Sequence, residues 1–151
     1  MKKLSAVMLC VMMCFIASSS AWAKTVAINK TNFPDAVFRE YVSNNFDTNN
    51  DGKLTDAEAK AVTNIYLTGS KLTNLRGIEY FTALTELYCY GNNLTSLDVS
   101  KNTALTELYC YDNMLTSLNV SKNTALTELY CYGNNLTSLD VIKNTALTRL
   151  Y

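Results

Sequence analysis

The chain has 151 residues, 48% of them hydrophobic, which is enough for one domain with a real core and too few for two large ones. Its 13 basic residues balance 13 acidic ones and there is no histidine, which excludes a net basic field for nucleic acid and removes the commonest general base and metal ligand. With 10 tyrosines against 5 glycines and 1 proline, the composition favours regular, repeated structure over disorder.

Lys2 and Lys3 precede an uncharged run from Leu4 to Ala17, and the small-residue ending Ala21, Trp22, Ala23 follows. The run falls short of the roughly 20 residues that span a bilayer, so residues 1–23 read as a secretory signal peptide cut after Ala23. Lipid attachment at Cys14 is set aside, because Met12 and Met13 stand where small residues are needed. The mature chain, residues 24–151, loses two basic residues and no acidic ones, leaving a net charge of −2 and no further stretch able to cross a membrane. Export implies a secreted or cell-surface protein.

Residues 24–61 form the next unit. Asn32 is expected to cap a helix near Pro34, with Phe33, Val37, Phe38, Tyr41, Val42 and Phe46 as its apolar stripe. Asp47 to Glu58 then reads DTNNDGKLTDAE and matches D-x-[DN]-x-[DN]-G-x5-E at every ligand position. This segment resembles an EF-hand calcium loop. The resemblance implies side-chain oxygens from Asp47, Asn49 and Asp51, the carbonyl of Lys53, the hydroxyl of Thr55 or a water it holds, and a bidentate Glu58. Gly52 would allow the sharp turn, and Leu54 would point inward. Asp56 to about Ala61 gives a short exit helix, where Thr55 and Glu58 also fit a capping box. EF-hands normally pair, and dockerins carry two such loops. Here there is one, so a cohesin-binding role is not carried over and the lone hand is expected to form an amino-terminal cap on residues 62–151.

Residues 62–151 are repetitive. Thr82–Asn102 reads TALTELYCYGNNLTSLDVSKN, and the copies Thr103–Asn123 and Thr124–Asn144 differ from it at three positions and at one. The period is 21 residues, with a skeleton L-x-x-L-x-C-x-x-N-x-L exemplified by Leu84, Leu87, Cys89, Asn92 and Leu94. A diverged earlier copy runs through Val62, Ile65, Leu67, Ser70, Leu72, Leu75 and Ile78, with Ser70 in place of the asparagine. This skeleton resembles the leucine-rich repeat family, and within it the short, cysteine-containing repeats of bacterial internalin-like and anaerobe surface proteins. The implied fold is an α/β leucine-rich repeat solenoid with a parallel β-sheet and short non-helical return segments, capped at its amino end by a single helical EF-hand.

The physics of the unit agrees. Leu87 and Cys89 alternate with Tyr88 and Tyr90 at period two, as in a strand buried on one face, and stacking at about 4.8 Å per coil joins those faces into one core. About 21 residues leave no length for a full return helix, so turns or extended chain are expected around Ser96 to Val99. The resemblance implies that Asn92, Asn113 and Asn134 turn inward and satisfy backbone groups of neighbouring coils, a structural role consistent with the cost of about 1 to 3 kcal/mol for an unpaired buried group. Asn102, Asn123 and Asn144 should form a second ladder. Cys89, Cys110 and Cys131 point the same way from adjacent strands, which suits buried thiols better than a disulfide or a metal column.

Tyr88, Tyr109, Tyr130 and Tyr151 fall in one outward column and Tyr90, Tyr111 and Tyr132 in the next, flanked by Glu86, Glu107, Glu128 and then Arg149. The columns read both as cross-strand packing and as a recognition surface for an extended extracellular protein or glycan. Leu147 and Leu150 begin a fifth coil and no cap follows, so the expectation is a fragment of a longer protein or an open edge prone to self-association. No nucleophile sits with a base, and no phosphate loop is present, so the reading is non-enzymatic. The expected role is a calcium-stabilised binding module for protein contact or adhesion; a glycan-binding module and a purely structural spacer are the alternatives.

Overall fold

A computed structural model describes residues 25–151, so the leader read from residues 1–23 lies outside the described residues. The order begins with β1 (Thr25–Ala27), α1 (Ala36–Phe46), β2 (Lys53–Thr55) and α2 (Asp56–Ala61). Five strands then follow, the last four at the 21-residue spacing: β3 (Asn64–Tyr66), β4 (Glu86–Tyr88), β5 (Glu107–Tyr109), β6 (Glu128–Tyr130) and β7 (Arg149–Leu150). They form one parallel sheet in chain order, and like residues pair: Leu87 with Leu108, Leu108 with Leu129, Leu129 with Leu150.

Strands this short gain their stability from the stack. Backbone bonding continues past each strand into the Cys and Gly positions, as where Cys89 donates to the Tyr109 carbonyl at 2.9 Å and Gly91 to that of Tyr111 at 3.0 Å. The inward column of Leu84, Leu87, Cys89, Leu94, Leu97 and Val99 is buried and recurs in the next coil. The return segments carry no α-helix: a 3-10 turn at Ile78–Tyr80 serves the first coil, and Ser96–Val99 has no regular structure, as the short period requires.

The helical segment covers the first coil. Phe33, Phe38, Val42 and Leu54 are fully buried and share one core with Ile65, Leu72, Ile78 and Phe81. Phe46 meets Phe81 with ring centroids 5.3 Å apart, and Phe33 meets Tyr80 at 5.6 Å. Two details differ from the sequence reading. The cap of α1 is Asp35, whose carboxylate accepts from the N–H groups of Val37 and Phe38, whereas Asn32 turns back to the Ala27 carbonyl. Val37 is exposed on the first turn of α1, outside the buried stripe. Asp35 also spends its second oxygen on Thr73, accepting from its N–H at 3.0 Å and its hydroxyl at 3.1 Å, which pins α1 to the first coil. Those donors hold the Asp35 carboxyl below the usual range although its burial opposes this.

Candidate functional site

Two constellations stand out, and the first is the outer face of the sheet. The pairing register places Tyr88, Tyr109 and Tyr130 side by side, with centroids 4.6 Å and 4.3 Å apart and planes within 24°. Tyr90, Tyr111 and Tyr132 stack in the next column at 4.4 Å and 4.6 Å. Tyr151 extends the first column at 4.7 Å, and so does Tyr66 at 4.9 Å. Tyr66 escaped the sequence reading because the first coil is one residue longer, a 22-residue step from Tyr66 to Tyr88 that breaks the 21-residue count.

The columns differ in their polar tips. Tyr88 donates its hydroxyl to Glu107 at 2.5 Å and Tyr109 to Glu128 at 2.6 Å, each reaching one coil onward. Burial first, then these bonds and the glutamate charges, push both hydroxyls well above the usual tyrosine range, so they remain donors. Arg149 stands at the register position held by Glu86, Glu107 and Glu128 in the three coils before it, and pairs with Glu128. The first column is therefore a braced ladder. The second column has no such carboxylate partners, and Tyr132 is 49% exposed.

Behind the sheet lie the amide ladders. Asn92 donates to the carbonyls of Leu67, Cys89 and Tyr90, and its oxygen accepts from the N–H groups of Ser70 and Leu72. Asn113 and Asn134 repeat the three donations one coil further each time, but their oxygens accept from a single N–H, that of Leu94 and of Leu115. Asn102, Asn123 and Asn144 form the second ladder through their amide nitrogens, with side-chain oxygens that have no hydrogen-bond partner. The three thiols of Cys89, Cys110 and Cys131 are free and buried; burial pushes Cys89 up to about 12, which leaves it protonated and unreactive.

The second constellation is the acidic loop. Asp47 follows α1 and is buried; its two oxygens accept from the N–H groups of Asp51 at 3.1 Å and Gly52 at 2.9 Å. Asn49 accepts from Asp51, and Asp51 from Lys53. Gly52 sits at φ 74°, the left-handed turn expected of it. Lys53 and Thr55 lie on β2 and Glu58 in the first turn of α2, closing a capping box with Thr55. Glu58 also accepts from Thr48, at 2.9 Å from its N–H and 2.6 Å from its hydroxyl, so it ties the start of the loop to its end. These donors, the Thr48 hydroxyl foremost, hold the Glu58 carboxyl down to about 2. All six residues of the motif thus share one loop, with Glu58 turned toward Thr48 and Thr55. In this arrangement no three Asp, Glu or Cys side chains among the described residues are gathered as a metal site would need. The donor set of carboxylates, an amide, a hydroxyl and a carbonyl is all oxygen, the ligand chemistry a hard cation such as calcium takes.

β2 also pairs antiparallel with β1, placing Val26 opposite Leu54 and Ala27 opposite Lys53. This pairing was not legible in the sequence: three residues carry too little pattern. The Asp35 cap was legible in principle, as an Asp directly before the helix and after a proline.

No family model matches the sequence. Over 71 residues the chain is 40% identical to internalin J of Listeria monocytogenes, an alignment covering 47% of this chain and 8% of that protein. Among solved structures, the functional domain of InlJ from Listeria monocytogenes, which includes a cysteine ladder, is similar with a TM-score of 0.77 and 39% identity over 85% of this chain and 28% of that one. An internalin (InlF) from the same species is similar with a TM-score of 0.71 and 25% identity over 82% of this chain and 44% of that one. Internalin C2, at 21% identity and a TM-score of 0.74 over 85% of this chain and 58% of that one, shares the fold. The chain therefore spans less than a third of the solved InlJ chain. Its repeats form an internalin-like leucine-rich repeat solenoid, and among the described residues no helix is long and apolar enough to cross a membrane.

Proposed function

We propose that this internalin-like solenoid is an exported, non-enzymatic binding module, secreted or held at the cell surface, that contacts an extracellular protein through its tyrosine-paved sheet. The observation that carries the reading is the pair of unbroken tyrosine columns on the outer face of the sheet. Tyrosine supplies rigid contact area with a polar tip and is enriched at interface hot spots. Within each column the ring faces cover one another, so the surface presents ring edges and hydroxyls. Sugar stacking needs open ring faces, which favours a protein partner over a glycan. The first column, with its hydroxyls given to glutamates, braces the stack; the second is the principal contact. The test pairs a glycan array with an extracellular protein array, using residues 24–151 and the double variant Tyr109→Ser, Tyr111→Ser. Signal on proteins that the variant loses, with the fold retained by circular dichroism, is the expected result; signal on glycans alone overturns it.

Calcium belongs to the same reading. Asp47, Asn49, Asp51, Lys53, Thr55 and Glu58 would hold Ca2+ and so fasten the helical segment onto the first coil, at an affinity of about 0.1 to 1 mM that suffices outside cells. A bound ion stabilises by mass action. The melting temperature should rise with added calcium; identical melts in calcium and in chelator would remove this part.

A further inference from the structure

EF-hand loops normally come in pairs, each covering the other's apolar face, and this sequence carries one loop of that pattern. The structure nevertheless leaves no unpaired loop strand. β2 is bonded along its length to β1, in the register Thr25 with Thr55, Val26 with Leu54 and Ala27 with Lys53. The contact continues where Ile28 donates its N–H to the Gly52 carbonyl at 2.9 Å, at the left-handed turn of the loop. Leu54 is 1% exposed, and Val26 packs against the same core. Asn32 then donates to the Ala27 carbonyl at 2.8 Å, anchoring the end of the strand.

We infer that β1 stands in for the missing second loop, so that calcium capture by Asp47–Glu58 and docking of the amino-terminal strand are one linked event. The inference rests on the proposed calcium site and adds a role for residues 25–28, none of which offers the ion a ligand. Two loop positions depend on this strand. The Lys53 carbonyl belongs to the residue opposite Ala27, and the Gly52 turn is held by Ile28. In return β1 depends on the loop: its sheet has two strands, and Thr25 and Ala27 are exposed. A two-stranded ribbon this short is marginal alone. Because linkage is reciprocal, whatever order calcium adds to β1, β1 adds to calcium affinity. A chain trimmed into residues 25–28 would bind calcium more weakly, and a chain in calcium-poor medium would have a frayed amino terminus.

The experiment is hydrogen exchange on residues 24–151 in calcium and in chelator, with calcium titrated by calorimetry into the same protein and into Ile28→Pro, which removes one bond to the loop. Val26→Asn, which keeps the backbone and weakens the apolar contact, is the second variant should the proline disturb folding. Calcium should slow exchange in 25–28 and in 53–55 together, and either variant should bind about three- to tenfold more weakly, as the loss of one hydrogen bond or contact predicts. Heat of binding and protection confined to 47–58, with 25–28 unchanged and the variants binding normally, overturns the role of β1 and leaves the calcium site standing. No heat and no protection anywhere overturns both.

Discussion

Replacing Asn92 with alanine removes the amide that ties the first coil to the second, and its cost can be worked out group by group. Leu67 gives its carbonyl to this amide at 2.6 Å, and Ser70 and Leu72 give it their N–H groups at 3.0 Å each. Cys89 and Tyr90 keep other donors, Asn113 for the one and Gly69 for the other. Three backbone groups thus lose their bond, two near the buried Leu72 and Leu67 and one at the half-buried Ser70, which can reach water. At about 1 to 3 kcal/mol for each of the two orphaned buried groups, the change should cost about 2 to 6 kcal/mol. Asn113→Ala is the internal control: Cys89, Cys110 and Tyr111 retain Asn92, Asn134 and Gly91 as donors, and only the Leu94 N–H is stranded. Its cost should be about 1 to 3 kcal/mol. Urea unfolding of both variants, followed by circular dichroism, measures the difference. A cost for Asn92→Ala no greater than for Asn113→Ala would refute the reasoning that orphaned backbone groups, and not the mere count of amide bonds, set the stability of each coil.

Gly133→Ala should destabilise more than Gly91→Ala, since both have φ near 65° but the new methyl at 133 meets Asp112 Oδ1 at 2.1 Å, while at 91 nothing is closer than 3.7 Å. Left-handed backbone costs alanine about 1 to 2 kcal/mol at either position; thermal melts should show the extra loss at 133, relieved by Asp112→Gly. Cys89 and Cys110 should resist a thiol reagent in the folded protein and react only on unfolding, because burial raises both thiols, as mass spectrometry after timed alkylation would show. Rapid labelling of Cys110 under native conditions would contradict the packed sulfur column. Glu58, depressed from 4.5 to about 2, contributes stability that is fully present above pH 4.5 and lost as the pH falls toward 2. Solvent screening keeps that contribution to about 1 kcal/mol, and Glu58→Gln should flatten the acid limb of the stability curve over that window.

Repetition is what made the solenoid legible from the amino-acid order alone. A 21-residue period with alternating Leu, Tyr, Cys, Tyr dictates which residues face inward, and stacking identical units forces identical residues into columns, because each coil must bury the same stripe against the next. The sulfur column, the amide ladders and the two tyrosine columns all stem from that one constraint. The acidic loop was plain as a motif, Asp47 to Glu58, with Gly52 at its turn. What the order of residues left open lies where the period fails and where distant segments meet. The longer first coil hid Tyr66 from its column, and Asp35 divides its oxygens between its own helix and Thr73, 38 residues away. The pairing of β1 with the loop strand, and the turn of Glu58 toward Thr48, depend on contacts between short segments without internal pattern. Such contacts join segments that only the packed core holds side by side, so tertiary packing chose them, and local preference could not.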